Sequence, residues 1–259
     1  MVKIIFFDID GTSFDNKNQK VHPSTTKALT LLREQGCKLF ICTSRSTQEM
    51  CCLPQAYLNL FDGYVVNAGA MIYIDKKLVH KSVMKHEKIK PVIDKLDELE
   101  LTYRWVAADN DASLNRIDPE KMALFYRLYS YVPPVKAYTN QDLCHLLFYM
   151  KNPEMMDEIR PLMDDMYVID LGLAKEFVYK DINKGAGMRW VADHYGVSME
   201  DVAAFGDGGN DVEMMEVAGY GIAMGNGKPH LKEVADYVTK NIDEDGLYHA
   251  CLHYGWIKE

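Results

Sequence analysis

The six cysteines, at 37, 42, 51, 52, 144 and 251, contain no C-x-x-C pair, and their spacing outlines neither a zinc site nor a disulfide framework. They read as reduced thiols, most of them packed. No apolar run reaches bilayer-spanning length, and the N-terminal one is broken by Asp8 and Asp10 before any small-residue cleavage site. The chain is therefore expected to begin near Met1 and to be cytoplasmic. Dense Lys/Arg clusters are also missing. Acidic residues outnumber basic ones by 38 to 29, a net charge of −9, which argues against nucleic acid and membranes as partners. No protein partner is implied, and no internal repeat or low-complexity tract is present. Of eight histidines, only His249 and His253 stand at i, i+4. With no third ligand nearby they read as one face of a C-terminal helix.

What is present is an ordinary globular composition, 48% hydrophobic and 26% charged, over 259 residues. Ile4 to Phe7 form a continuous apolar run, as expected of a strand covered on both faces. A helix follows in "HPSTTKALTLLREQGC", with Ser24 as cap and Gly36 as stop, then the strand "KLFICT". A helix around 48–58, the strand "GYVVNAG" and the hairpin "MIYIDKKLVH" complete a parallel α/β pattern. Beyond residue 81 the pattern changes to mixed helices and strands, among them a helix over "PEMMDEIRPLMDD". It returns to strand–helix alternation after residue 182. The expected fold is α/β: a Rossmann-like parallel-sheet core from 1–81 and 183–259, with an inserted α+β domain over 82–182.

The N-terminal strand ends in Asp8, Ile9, Asp10 and Gly11. Side chains alternate along a strand, so both carboxylates are expected on one face, close enough to repel unless a proton or cation intervenes. In open α/β sheets ligands bind beyond the carboxyl ends of strands. Collected there are "DIDGT" (8–12), Thr43 and Ser44 of "CTSR", Lys184 of "DINKGAG", and "GDGGND" (206–211). Singly, each has a plainer reading as a turn, cap or solvated residue. Jointly they suit phosphoryl transfer through an aspartyl-phosphate: Asp8 as nucleophile, and Asp10 as acid toward the leaving oxygen and then base toward water. Asp8, Asp207 and Asp211 offer hard oxygens for a divalent cation, best Mg²⁺. That cation would reverse a local field otherwise hostile to phosphate. Lys184, Thr43 and the Ser44 amide are donors for phosphate oxygens.

"FFDIDGT", "ICTSR", "KGAGMRWVADHYGV" and "AFGDGGNDVEMMEVAGYGIAMGN", with "EVADYVT" and "DEDG", resemble the Cof-type sugar-phosphatase branch of the haloacid dehalogenase-like hydrolase superfamily. The resemblance implies Asp8 as nucleophile and Asp10 as acid/base. It places Mg²⁺ on Asp8, the Asp10 carbonyl and Asp207, with Asp211 in support. Thr43, Ser44, Lys184 and Asn210 would hold the phosphate, and the insert would be an α/β cap of the second type. Two departures are the "SF" pair after D-G-T and "TSR" where T-G-R is usual; neither removes a catalytic group.

The resulting expectation is a Mg²⁺-dependent hydrolase of small phosphomonoesters, sugar phosphates first. Rival readings are a phosphotransferase or mutase acting on the same sugars and, further off, a signalling module phosphorylated on aspartate. Trp105, Asp109, Asn115, Arg116 and Tyr179 are candidates for contact with the leaving group, each with the plainer reading of insert surface or core.

Overall fold

The computed structural model describes residues 2–163 and 166–258. The first layer begins with β1 (Ile4–Phe7), α1 (Pro23–Glu34), β2 (Lys38–Cys42), the short α2 (Gln55–Leu58), β3 (Gly63–Val66) and the hairpin β4 (Met71–Ile74) and β5 (Lys77–Lys81). Next come α3 (His86–Glu98), β6 (Thr102–Ala107), β7 (Ala112–Leu114), α4 (Pro119–Tyr129), β8 (Leu143–Tyr149), α5 (Met156–Ile159), β9 (Met166–Leu171) and β10 (Ala174–Tyr179). The first layer resumes with α6 (Lys184–Tyr195), β11 (Val202–Gly206), α7 (Val212–Val217), β12 (Tyr220–Ala223), α8 (Pro229–Val234), β13 (Tyr237–Val238) and α9 (Gly246–His253).

One sheet has the order β13-β12-β11-β1-β2-β3-β4-β5, parallel except for the β4–β5 hairpin edge. Helices cover both faces, which is why β1 is apolar at every position. Ile5 and Phe7 pack in one cluster with Leu29 and Leu32 of α1 and Leu247 and Cys251 of α9. Ile4 and Phe6 pack in the other, with Met188, Val191, Met214 and Leu231. Burying each such large side chain contributes about 1.5–3 kcal/mol.

The second sheet, β7-β6-β8-β10-β9, is antiparallel throughout and comes entirely from chain between β5 and α6. Tyr103, Trp105, Leu146, Phe148 and Phe177 point to one face, against Ile89, Val92 and Leu96 of α3 and Ile159 of α5. Arg104, Leu147 and Glu176 form a cross-strand row on the opposite face, and His145, two residues from Leu147, shares it. Phe125 of α4 packs there on Leu114 and Leu147. Both connections between the sheets line one hollow, with Ser82 and Val83 beside Tyr179 to Ile182. Among the described residues no helix is long and apolar enough to cross a membrane.

Three local expectations need correction. Over 48–58 the chain forms a 3-10 turn, Gln48–Met50, and then four-residue α2, with Pro54 between them. Ser24 is not a cap, because Pro23 already occupies the first helical turn and the Ser24 hydroxyl finds no partner among the described residues. Gly36 does end the helix region with φ +84°. The run 153–165 is broken into 3-10 turns around α5 by Pro153 and Pro161. Its last two residues lie outside the described chain.

Candidate active site

The chain runs outward from β1 to β2 on one side and later to β11 on the other, so the carboxyl ends of these three strands meet at a topological switch point. Asp8 follows β1, Thr43 and Ser44 follow β2, Asp207 follows β11, and Lys184 opens α6. Lys184 Nζ donates to Asp8 Oδ1 and Asp211 Oδ1, each at 2.6 Å, and is fully buried. Asp211 Oδ2 accepts the amides of Asp207 and Gly208, both at 2.9 Å. Thr12 Oγ1 donates to Asp207 Oδ1 at 2.8 Å. Gly11 is required twice over: its φ is +85°, and a Cβ there would lie 2.4 Å from Asp207 Oδ2.

Burial raises the pKa of Asp8 well above the carboxylate norm, reinforced by Asp211, Asp207 and Asp10 against the pull of Lys184. Burial and then Asp211 push Asp207 up to about 7. Burial works against the Lys184 charge, but Asp211 and Asp8 outweigh it and keep the ammonium protonated. Three carboxylates facing one ammonium leave excess negative charge that a cation would neutralise.

The donor set fits a hard divalent cation. Ligand oxygens of Asp8, Asp207 and Asp211 lie within 4.8 Å of one another. Asp207 Oδ2 takes no hydrogen bond from the described residues, and neither does the Asp10 backbone carbonyl. All are oxygen ligands, as Mg²⁺ requires.

Beside them is a cradle of donors. The Ser44 amide has no acceptor among the described residues, while the Thr43 hydroxyl accepts the Arg45 amide at 3.2 Å and keeps its own proton to donate. Asn210 Nδ2 donates to Ser44 Oγ at 2.9 Å, and Ser44 Oγ in turn donates to Glu176 Oε2 at 3.0 Å. Thus Asp8, Thr43, Ser44, Lys184, Asp207, Asn210 and Asp211 are brought to one crevice.

Asp10 is nearby but differently engaged. Strand geometry ends at Phe7 and the chain turns, with Gly11 and Phe14 bridging back, and the Asp10 carboxylate is held by partners of its own. Asp10 accepts from both Arg45 Nε, at 2.9 Å, and Arg45 Nη2, and from Asn16 Nδ2 at 2.5 Å. Asn16 also donates to the Leu128 carbonyl at 2.8 Å, and the Arg45 guanidinium lies 4.3 Å from the Tyr129 ring centroid. The C-terminal end of α4 thus rests on the groups that hold Asp10.

The segment 44–52 carries this docking further. Thr47 accepts from Asn110, and Gln48 Oε1 accepts the Ala112 amide at 3.1 Å. Glu49 pairs with Arg104 through both carboxylate oxygens. Arg104 Nη1 faces His145 Nδ1 at 2.8 Å. Burial first, and then Arg104, holds the His145 pKa well below the usual histidine range. His145 Nε2 has no hydrogen-bond partner among the described residues and lies 3.7 Å from Glu176 Oε1.

Sequence reading passed over Asn16, Glu49, Arg104, His145 and Glu176, and quoted Arg45 only as part of a motif. Ser46 and Glu49 do form a reciprocal capping pair, the S-x-x-E signature, but that signal announces a turn and not a partner on another sheet. The five candidates raised for leaving-group contact have structural duties or lie outside. Trp105 packs against the α3 side, Asn115 bonds Tyr103 and Leu101, Tyr179 accepts the Lys85 amide, Arg116 is half-buried with Asp97 at 4.0 Å, and Asp109 is exposed.

Comparison with known proteins is consistent along the chain. The model of the haloacid dehalogenase-like hydrolase family matches residues 5–251. A phosphoglycolate phosphatase of Methanosarcina acetivorans is 28% identical over 263 residues, covering 98% of this chain and 99% of its own. A solved sugar phosphatase of subclass IIB of that superfamily superposes with a TM-score of 0.92 at 29% identity, over 99% of this chain and all of the other. A solved phosphatase of the same superfamily from Bacteroides thetaiotaomicron gives 0.85 at 27% identity, over 99% and 96%. With the match running through both sheets and not the first alone, the chain belongs to the haloacid dehalogenase-like hydrolase family, in its Cof-type branch, as a hydrolase of phosphoric monoesters.

Proposed function

We propose that this enzyme hydrolyses sugar phosphates with Mg²⁺ as cofactor, through an aspartyl-phosphate on Asp8. The observation that carries the reading is the buried ammonium of Lys184, held between Asp8 and Asp211 beside the unpaired oxygen of Asp207. Asp8, Asp207 and the Asp10 carbonyl would hold the cation, with Asp211 fixing the loop behind. When bound, it supplies charge neutralisation for the phosphate and the carboxylates.

Thr43, the Ser44 amide, Asn210 and Lys184 orient the phosphate so that the Asp8 carboxylate faces phosphorus. The Asp8 oxygen forms a bond to phosphorus as the bond to the sugar oxygen breaks, and the departing alkoxide takes a proton from Asp10. Asp10 then takes a proton from water as that water attacks the phosphorus, releasing phosphate and restoring Asp8. Arg45 and Asn16 set the position of the Asp10 carboxyl. We take the stretch 82–182 as the cap that covers this site, with 1–81 and 183–259 as the catalytic core. It would exclude water while the ester bond is exchanged.

The cap face supports a neutral, hydroxyl-rich leaving group. Around it stand two carboxyls, Glu49 and Glu176, against one guanidinium, Arg104, with neutral His145. A leaving group bearing its own carboxylate, such as glycolate, would add like charge. A sugar hydroxyl can donate to Glu176, while Arg104 is engaged by Glu49 and His145. Burial raises the Glu176 pKa, and the group binds hydroxyls in either protonation state.

The test is phosphate release from hexose, pentose, triose and nucleotide monophosphates and from phosphoglycolate, with and without Mg²⁺, for wild type and Asp8→Asn. Metal-dependent release from sugar phosphates, lost in Asp8→Asn, is expected. Release only when a second sugar is supplied would replace the hydrolase reading by phosphotransfer, and preference for phosphoglycolate would overturn the leaving-group argument.

A further inference from the structure

The docking segment ends in two adjacent cysteines that take no part in this chemistry. Cys51 and Cys52 are both exposed, with their sulfurs 3.5 Å apart. Cys52 Sγ also donates to the Ser130 carbonyl, 3.2 Å away, at the C-terminal end of α4. Cys37, Cys42, Cys144 and Cys251 are buried. The vicinal pair is therefore the accessible thiol chemistry of the described chain.

Its geometry selects a type of ligand. A disulfide needs sulfurs about 2.0 Å apart. Two sulfurs bound to one common atom through bonds of about 2.3 Å, at an angle between right and tetrahedral, lie about 3.3–3.8 Å apart. The observed 3.5 Å, which in the free pair is a thiol–thiol hydrogen bond, also falls in the second range, with Cys51 in ordinary helical backbone at φ −60° and ψ −26°. Bridging by a single atom needs only small side-chain adjustment, whereas direct sulfur–sulfur bonding requires the two residues to rearrange.

We propose that Cys51 and Cys52 form a dithiol site for a thiophilic electrophile that accepts two sulfur bonds, with trivalent arsenic as the type ligand, and that its occupation keeps α4 from docking. With arsenous acid, each thiol gives up a proton and forms one sulfur–arsenic bond. Two hydroxyls leave arsenic as two waters, the third stays, and no oxidation state changes. The adduct removes the Cys52 proton from the Ser130 carbonyl and places a hydroxylated arsenic in that gap. Leu128 and Tyr129, immediately before it, are the residues that meet Asn16 and Arg45, so the displacement reaches the groups holding Asp10.

The binding part stands on thiol geometry alone, and the inhibition part rests on the phosphatase reading. Native protein is titrated with arsenous acid and followed by intact mass, exposed-thiol count, hydrogen exchange over residues 123–131 and sugar-phosphate hydrolysis. Expected are one arsenic per chain, loss of both exposed thiols, faster exchange at the end of α4, turnover lowered about tenfold or more, and full reversal by ethane-1,2-dithiol. Cys51→Ser and Cys52→Ser, each checked for native circular dichroism, should stay active, bind no arsenic and resist inhibition. Retention of both exposed thiols, or an adduct that persists in Cys52→Ser, overturns the site. An adduct that leaves exchange in α4 unchanged overturns the coupling, even if the enzyme's substrate proves to be of another class.

Discussion

Replacing Glu49 by glutamine is expected to weaken the docked arrangement of the two sheets while leaving each sheet folded. Glu49 and Arg104 have side chains 1% and 2% exposed, and Arg104 Nε meets Glu49 Oε1 at 2.9 Å. The remaining neighbour of the guanidinium is His145, which burial and Arg104 itself keep neutral. An exposed pair would contribute only about 0–1 kcal/mol. Leaving a guanidinium buried without its anion costs about 3–5 kcal/mol. Glu49→Gln retains an acceptor for the Ser46 amide, so the local turn survives. Because the pair joins one layer to the other, the molecule relieves the cost by separating the layers and wetting Arg104. At 1.36 kcal/mol per factor of ten, even about 3 kcal/mol lowers the docked-to-separated ratio by about 100–200-fold. The assay is kcat/KM for the preferred sugar phosphate alongside the thermal midpoint. Expected is a fall of up to about a hundredfold in kcat/KM with Tm nearly unchanged, and substantial recovery in the double variant Glu49→Gln/Arg104→Met, which leaves no buried charge. A steep drop in Tm with unaltered kinetics, or a double variant no better than the single, would refute the reasoning.

Gly11→Ala should abolish tight Mg²⁺ binding, since the new methyl falls on Asp207 Oδ2 and the backbone there has positive φ; calorimetric titration showing wild-type affinity would contradict this. Asp207 sits at about 7 before a cation arrives, because of burial and Asp211, so binding must displace its proton. Mg²⁺ affinity should therefore rise with pH through about pH 7, with a proton released from Asp207 on binding below that point; equal affinity at pH 6 and 8 would count against it. His145 has a folded pKa depressed by burial and then by Arg104, so its contribution to stability is complete above the unfolded value of about 6.5 and is lost as pH falls below it. Between pH 7 and 5 wild type should lose stability relative to His145→Gln by up to about 1.4 kcal/mol per pH unit, measured by urea unfolding, and parallel curves would exclude the effect.

Much of the fold was legible because periodicity and strand-end polarity are local signals. β1, β2, β11 and α6 could be found from apolar runs and from the residues that follow them, and the crevice residues Asp8, Thr43, Ser44, Lys184, Asp207 and Asp211 all sit at such ends. Asp10 shows the limit of the argument. Alternation along a strand placed it on the Asp8 face, but the strand stops at Phe7, and nothing in the local pattern announced Arg45 and Asn16 as the partners of its carboxylate. Glu49, Arg104, His145 and Glu176 were beyond reach for a different reason. Each sits in a segment with an adequate local explanation, and only the register of β6, β8 and β10 puts three of them on one face, opposite the fourth. Helix ends misled where proline decided the outcome, as at Pro23, Pro54 and Pro161.

The segment that carries the Ser44 amide of the proposed phosphate site also presents Arg45 to α4 and Thr47, Gln48 and Glu49 to the β6–β7 side of the other layer. Two events are thereby written into a single stretch of chain, and linkage makes them reciprocal. If docking pre-orders this stretch so that phosphate binds tenfold tighter, bound phosphate must favour docking tenfold in return. A phosphorylated molecule that reaches only the cradle and leaves the cap face empty would still draw the layers together. Free phosphate should then act as a product that delays its own escape, and reopening, not bond breaking, would set the pace of turnover at high phosphate.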